Sequence, residues 1–156
     1  MTKLLLAGVA AVLIVPAALA DPVTRTITID TPKYDGTKTY TRDKEAGTFS
    51  KDAELTRKSD GATATREYDR RRTETGVVAS GSTTRFNGDT RRFDYERTRT
   101  GHGYNAEGSL TRFNGETYDY SATLRRGEYR VGRSQVLRNS NGQIVAARRV
   151  VRPRRH

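Results

Sequence analysis

Cysteine and tryptophan are absent from the 156-residue chain, and histidine occurs only as His102 and His156. Without cysteine there is no disulfide staple, thiolate nucleophile or thiolate metal site. A Ser-His-Asp arrangement would have to recruit His102, which lies in the Gly-His-Gly stretch 101–103 and reads as a solvated turn residue. No glycine-rich phosphate loop, dinucleotide fingerprint or helix–loop–helix calcium loop is present. The stretch 138–143 offers amide and hydroxyl oxygens but no acid, a poor calcium site. The chain is therefore expected to work without a cofactor or metal and not to be an enzyme.

Large apolar side chains are also scarce. From residue 21 onward there are roughly 19 Val, Ile, Leu and Phe in about 136 positions, a share that with high net charge borders on the composition of disordered chains. Regular backbone hydrogen bonding and side-chain stems must then replace a thick core. After residue 20 no stretch shows a sustained 3.6-residue apolar period, and none is long and apolar enough to cross a bilayer.

Residues 1–20 differ from all that follows. One early cation, Lys3, precedes an apolar run over 4–15, then Pro16 and the small-residue site Ala18-Leu19-Ala20. This is the layout of a secretory signal peptide, helical if retained, with cleavage expected after Ala20. No cysteine follows that could carry a lipid anchor. The mature chain is expected to be secreted or periplasmic, with a net charge of about +10 once Lys3 is removed from the +11 total.

What remains is repetitive. Asx-Gly pairs stand at Asp35-Gly36, Asp60-Gly61, Asn87-Gly88, Asn114-Gly115 and Asn141-Gly142, their glycines 25, 27, 27 and 27 residues apart. Such pairs favour two-residue type I′ hairpin turns, and a fixed period marks a repeated unit. Further breakers fall at the half-period, at 45–47, 74–76, 100–103 and 125–127. The prediction is an all-β, antiparallel up-and-down meander of about nine or ten strands built from ~27-residue hairpin repeats. Residues 23–30 open it and 143–152 close it, and a sheet of this length is expected to curl or close like a barrel. The alternative is a single-layer sheet held by cross-strand pairs. The expected division is a signal peptide at 1–20, a repeat domain at 21–147 and a basic tail at 148–156.

Alternation within the strands sorts residue types. After Gly88, one face carries Thr90, Arg92, Asp94, Glu96 and Thr98, and the other Arg91, Phe93, Tyr95, Arg97 and Arg99. Strands after Gly61 and Gly115 repeat the contrast of threonine with acids against aromatics with arginine. Asp94 and Glu96 share a face among arginines, so ion pairing is expected of them rather than acid–base chemistry. Threonine rows at 24, 26, 28 and 37, 39, 41 resemble ice-binding ladders, but Arg and Asp in the same rows argue against that use.

Arginine greatly outnumbers lysine, and its planar fork binds phosphate and carboxylate in two-pronged fashion and stacks on rings. Arg91, Arg97, Arg99, Arg125, Arg126, Arg148, Arg149, Arg152, Arg154 and Arg155 are the candidate polyanion-binding residues. Expected partners are lipopolysaccharide, acidic polysaccharide or extracellular DNA. The other reading is a structural subunit that adds strand to strand in a matrix or surface layer. The aromatic-Asp pairs at 34–36, 68–69, 93–95 and 118–120, each followed by glycine, are similar in a limited way to the tyrosine-aspartate repeats of large bacterial surface proteins, which form β-hairpin strips. The units here are longer, and no membership is drawn from the likeness.

Overall fold

Threonine, tyrosine, phenylalanine and valine in alternating rows, punctuated by glycine, give strands and no helix among the described residues. The computed structural model describes residues 21–154, so the expected signal helix, its cleavage site and Arg155 lie outside the described residues. Ten strands follow in chain order: β1 Val23–Asp30, β2 Tyr34–Asp43, β3 Thr48–Arg57, β4 Thr63–Arg72, β5 Gly76–Thr84, β6 Thr90–Thr100, β7 Gly103–Thr111, β8 Thr117–Arg126, β9 Arg130–Asn139 and β10 Ile144–Pro153. They form one antiparallel sheet whose spatial order is the chain order. Extensive contacts occur only between sequential strands, so the sheet is a single layer.

The sheet does not close: β1 and β10 are its two edges. The barrel-like expectation is corrected on this point, and charge supplies a reason. Closure around the aromatic side would gather Arg66, Arg70, Arg97 and Arg148 into one low-dielectric interior, where unpaired charge is costly. β10 runs from Ile144 to Pro153, so the basic residues Arg148, Arg149 and Arg152 lie within a strand.

Turn chemistry departs from expectation in two ways. Asp35-Gly36 is no turn: both residues lie in β2, with Gly36 opposite Ile29 and Leu55, and the chain reverses at Thr31 to Lys33 instead. A strand-interior glycine makes sense here, since a Cβ at Gly36 would meet the Glu54 carbonyl and the Leu55 side chain. The other four Asx-Gly pairs do turn, but only their glycines have positive φ, which rules out type I′. At Gly88 the amide bonds the Arg85 carbonyl at 2.9 Å, while the Arg85 amide bonds the Asp89 carbonyl at 2.9 Å. That is a three-residue loop, a type I turn closed by a left-handed glycine, and Gly115 and Gly142 repeat it. The Asn side chain holds the loop, Asn87 Oδ1 accepting from the Asp89 amide at 3.2 Å. The loop's extra residue accommodates negative φ at Asn, so two-residue geometry is unnecessary.

Cohesion comes from one side of the sheet. Val77, Ala79, Ala106, Ala122 and Tyr118 are its buried apolar residues, and all five project to the aromatic face. The first four are short, and longer neighbours cover them: Arg97 lies in register between Val77 and Ala106, and Tyr95 between Ala79 and Gly108. Rings run across the layer, Phe49 to Tyr68 at 6.0 Å, Tyr68 to Phe93 at 6.2 Å and Phe93 to Tyr95 at 6.5 Å. Tyr68 and Phe93 meet over β5 because Gly81 between them has no side chain. On the opposite face, cross-strand threonines pair, as at Thr84–Thr90 and Thr111–Thr117, both 3.0 Å.

Candidate polyanion-binding face

Strict antiparallel register carries a side-chain face unchanged from strand to strand, since directly paired residues project the same way. Followed across all ten strands, it separates the two signs of charge. The aromatic face carries Arg25 from β1, Lys38 and Arg42 from β2, Lys51 and Arg57 from β3, and Arg66, Arg70 and Arg72 from β4. It continues with Arg91, Arg97 and Arg99 from β6, Arg126 from β8, Arg133 from β9, and Arg148 and Arg152 from β10. Among the described residues, no strand places an Asp or Glu on this face.

The strand acids all lie on the opposite face, with Thr and Ser. There, Asp52 is paired in register with Glu67 and Glu96 with Glu107, like charges directly across the ladder. Asp94 accepts a hydrogen bond from Ser109 at 2.5 Å and Glu67 from Ser82 at 2.9 Å. The ion pairing expected of Asp94 and Glu96 is thus corrected. Among the described residues, ion pairs occur only where Arg57 meets Asp60 at 2.7 Å and Lys58 meets Asp30 and Asp35 at 2.7 and 2.9 Å. The hydrogen bond Lys58 donates to Asp30 holds that carboxyl below its usual range and, with the one it donates to Asp35, raises the ammonium. A Tyr118 hydrogen bond likewise lowers Glu116, and burial raises the Tyr68 phenol.

Four cations of the basic face, Lys51, Arg57, Arg91 and Arg97, lie near rings, and of these only Arg57 is also paired with a carboxylate, that of Asp60. Arg97 sits 5.4 Å from the Tyr104 ring centre and Lys51 5.4 Å from that of Tyr40. At the turns, Arg85 and Arg91 both approach Phe113, at 3.6 and 5.5 Å, and Arg57 approaches Phe86 at 5.0 Å. A guanidinium lying on a ring keeps its N–H groups free for an anion.

Of the arginines singled out from the sequence, Arg91, Arg97, Arg99, Arg126, Arg148 and Arg152 share the aromatic face. Arg125 and Arg149 do not: their register partners Gly103 and Ser134 place them opposite. Consecutive arginines in a strand point to opposite sides, so an Arg-Arg run is not a patch. Arg154 follows β10 and returns to the β8–β9 turn, its amide bonding the Tyr129 carbonyl at 2.9 Å. Lys38, Arg42, Lys51 and Arg133 belong to the face but not to the expected set. Strand parity, applied to isolated cations as well as runs, is the signal that finds them.

Acids and histidine do not converge. A hollow of about 660 Å³ takes most of its lining from the acidic face, including Asp69, Asp94, Glu96 and Glu107. His102 lines a different hollow, of about 590 Å³, with arginines. Among the described residues no three His, Asp or Glu side chains are grouped to hold a metal ion. No protein-family model matches the chain, and no curated protein or solved structure is similar to it.

Proposed function

We propose that this is an exported, non-enzymatic protein that binds an anionic polymer or surface of the cell envelope or its surroundings through the aromatic, arginine-bearing face. The observation that supports it is the segregation of charge: strand cations with no strand carboxylate on their face, spread over a layer with interleaved rings. Self-repulsion on such a face is relieved by a polyanion, and stacking on Tyr and Phe adds sequence-tolerant affinity for nucleic acid. DNA, acidic polysaccharide and lipopolysaccharide all have the required charge density. Retention of the purified protein on single-stranded DNA, followed by fluorescence anisotropy, is expected to weaken about 10³-fold between 50 and 200 mM salt, the slope for six or more phosphate contacts. Affinity that ignores salt, or no binding to any of the three polymers at 50 mM, overturns the proposal.

A second reading, assembly of copies strand to strand, is favoured by the edges. Val23, Ile27, Ile144, Val145 and Val151 are exposed, and all lie on β1 or β10. With an even number of strands, β10 of one copy would run antiparallel to β1 of the next, a head-to-tail contact that extends rather than closes. Against it stand the bulge between Ile144 and Ala146, the terminal Pro153 and the arginines of β10, all devices that blunt an edge. Monomer mass in light scattering up to millimolar protein is the expected result, and growth of mass with concentration would favour the assembly reading.

A further inference from the structure

One corner of the basic face is more than a surface. The hollow of about 590 Å³ is lined by Arg97 and Arg99 of β6, His102 of the β6–β7 turn, Tyr104 of β7, Arg126 of β8 and Arg154 beyond β10. Four guanidinium groups converge from three places in the chain, and no acid lines the space. The nearest acids in sequence, Glu96 of β6, Glu107 of β7 and Glu128 in the β8–β9 turn, lie outside the lining, and register puts Glu96 and Glu107 on the opposite face.

The fold holds these groups together. The Arg126 amide bonds the His102 carbonyl at 2.6 Å, fixing the end of β8 to the β6–β7 turn. The Tyr104 ring lies beneath Arg97, which is half-buried. Arg154 is drawn in by two contacts: its amide to Tyr129, and its guanidinium to the Gly127 carbonyl at 3.5 Å. None of the four arginines is ion-paired among the described residues.

The geometry points to a discrete socket for a phosphate-bearing ligand with two or more phosphoryl groups or a terminal phosphomonoester. A single carboxylate offers one charge and two acceptor oxygens, too little for four guanidinium groups. A phosphomonoester brings a charge of about −1.5 to −2 and three acceptor oxygens, and arginine forks pair with it bidentately. The hollow opens on the basic face, so a phosphorylated end of a surface polymer would seat here while its chain crosses the sheet. The socket rests on the polyanion reading for its biological ligand but has its own signature, namely saturable binding of a small molecule.

Calorimetric titration of the purified protein with sodium tripolyphosphate at 100 mM salt tests it. One site is expected, with citrate at least tenfold weaker. The R126Q/R154Q variant should lose tripolyphosphate affinity at least tenfold, while R71Q/R92Q, on the opposite face, should retain it. Circular dichroism establishes that each variant stays folded. Vesicles containing phosphatidic acid form a second arm. Binding of tripolyphosphate alone assigns the socket to soluble phosphates, and R126Q/R154Q-sensitive binding of vesicles assigns it to a lipid headgroup. Absence of saturable binding in both arms, equal affinity for citrate, or unchanged affinity in R126Q/R154Q overturns the socket. If DNA binding persists when the socket fails, the broader face stands; if DNA binding is absent too, both fail.

Discussion

Gly108→Ala is expected to destabilise the protein by about 3 kcal/mol, the upper end for overpacking, because the obstruction is backbone rather than a yielding side chain. A Cβ at Gly108 would press on the Asp94 carbonyl and come within 2.6 Å of Tyr95 Cα. Register explains the crowding. Gly108 lies between Tyr95 of β6 and Tyr120 of β8, as Gly81 lies between Tyr68 and Phe93 twenty-seven residues earlier. Each glycine lets large rings on both sides spread over its strand, which in a single layer replaces a second layer of packing. Gly132 in β9 is the matched control, since a Cβ there meets nothing within 4 Å. Gly132→Ala should stabilise by about 0.5–1 kcal/mol through loss of unfolded-state freedom. Thermal melts should show the opposite signs, a fall of ~10 °C against a small rise. Equal shifts for the two variants would show that the glycines serve flexibility and not ring packing.

The second large effect separates position from net charge. Replacing Arg66, Arg70 and Arg72 by Gln removes three cations from the aromatic face; replacing Arg71, Arg92 and Arg125 removes three from the opposite face. The change in total charge is identical. The first triple variant should lose about 100-fold in affinity for single-stranded DNA at 0.1 M salt, with the log–log salt slope shallower by about 2. The second should bind within a few-fold of the parent. Equal losses would mean that the chain attracts polyanions by bulk charge and has no binding face.

Much of this was legible in the residues. Strand alternation after Gly61, Gly88 and Gly115 separates aromatics and arginine from threonine and acid, and the register extends that sorting to the whole sheet. The breakers at the half-period also fall where the chain reverses. The failures have physical causes. Asp35-Gly36 carries the chemistry of a turn, but Gly36 is needed where the Leu55 side chain approaches, and a dipeptide signal does not distinguish the two uses. Turn type depends on loop length, which hydrogen-bond register sets. Arginine runs looked like patches because adjacency in sequence was read as adjacency on a surface. The corner around His102 is hidden from the sequence altogether, since Arg97 and Arg154 are brought to it by strands and turns that the intervening chain must first fold.

Putting all strand acids on one side and most cations on the other gives this thin sheet an electric dipole along its normal. A sheet that settles on a negative surface does so flat, aromatic side down, and turns its carboxylates outward. The coated surface keeps its negative sign instead of being neutralised. A second copy approaching from solution then meets repulsion from Glu96, Glu107 and their neighbours, so coverage stops at a monolayer.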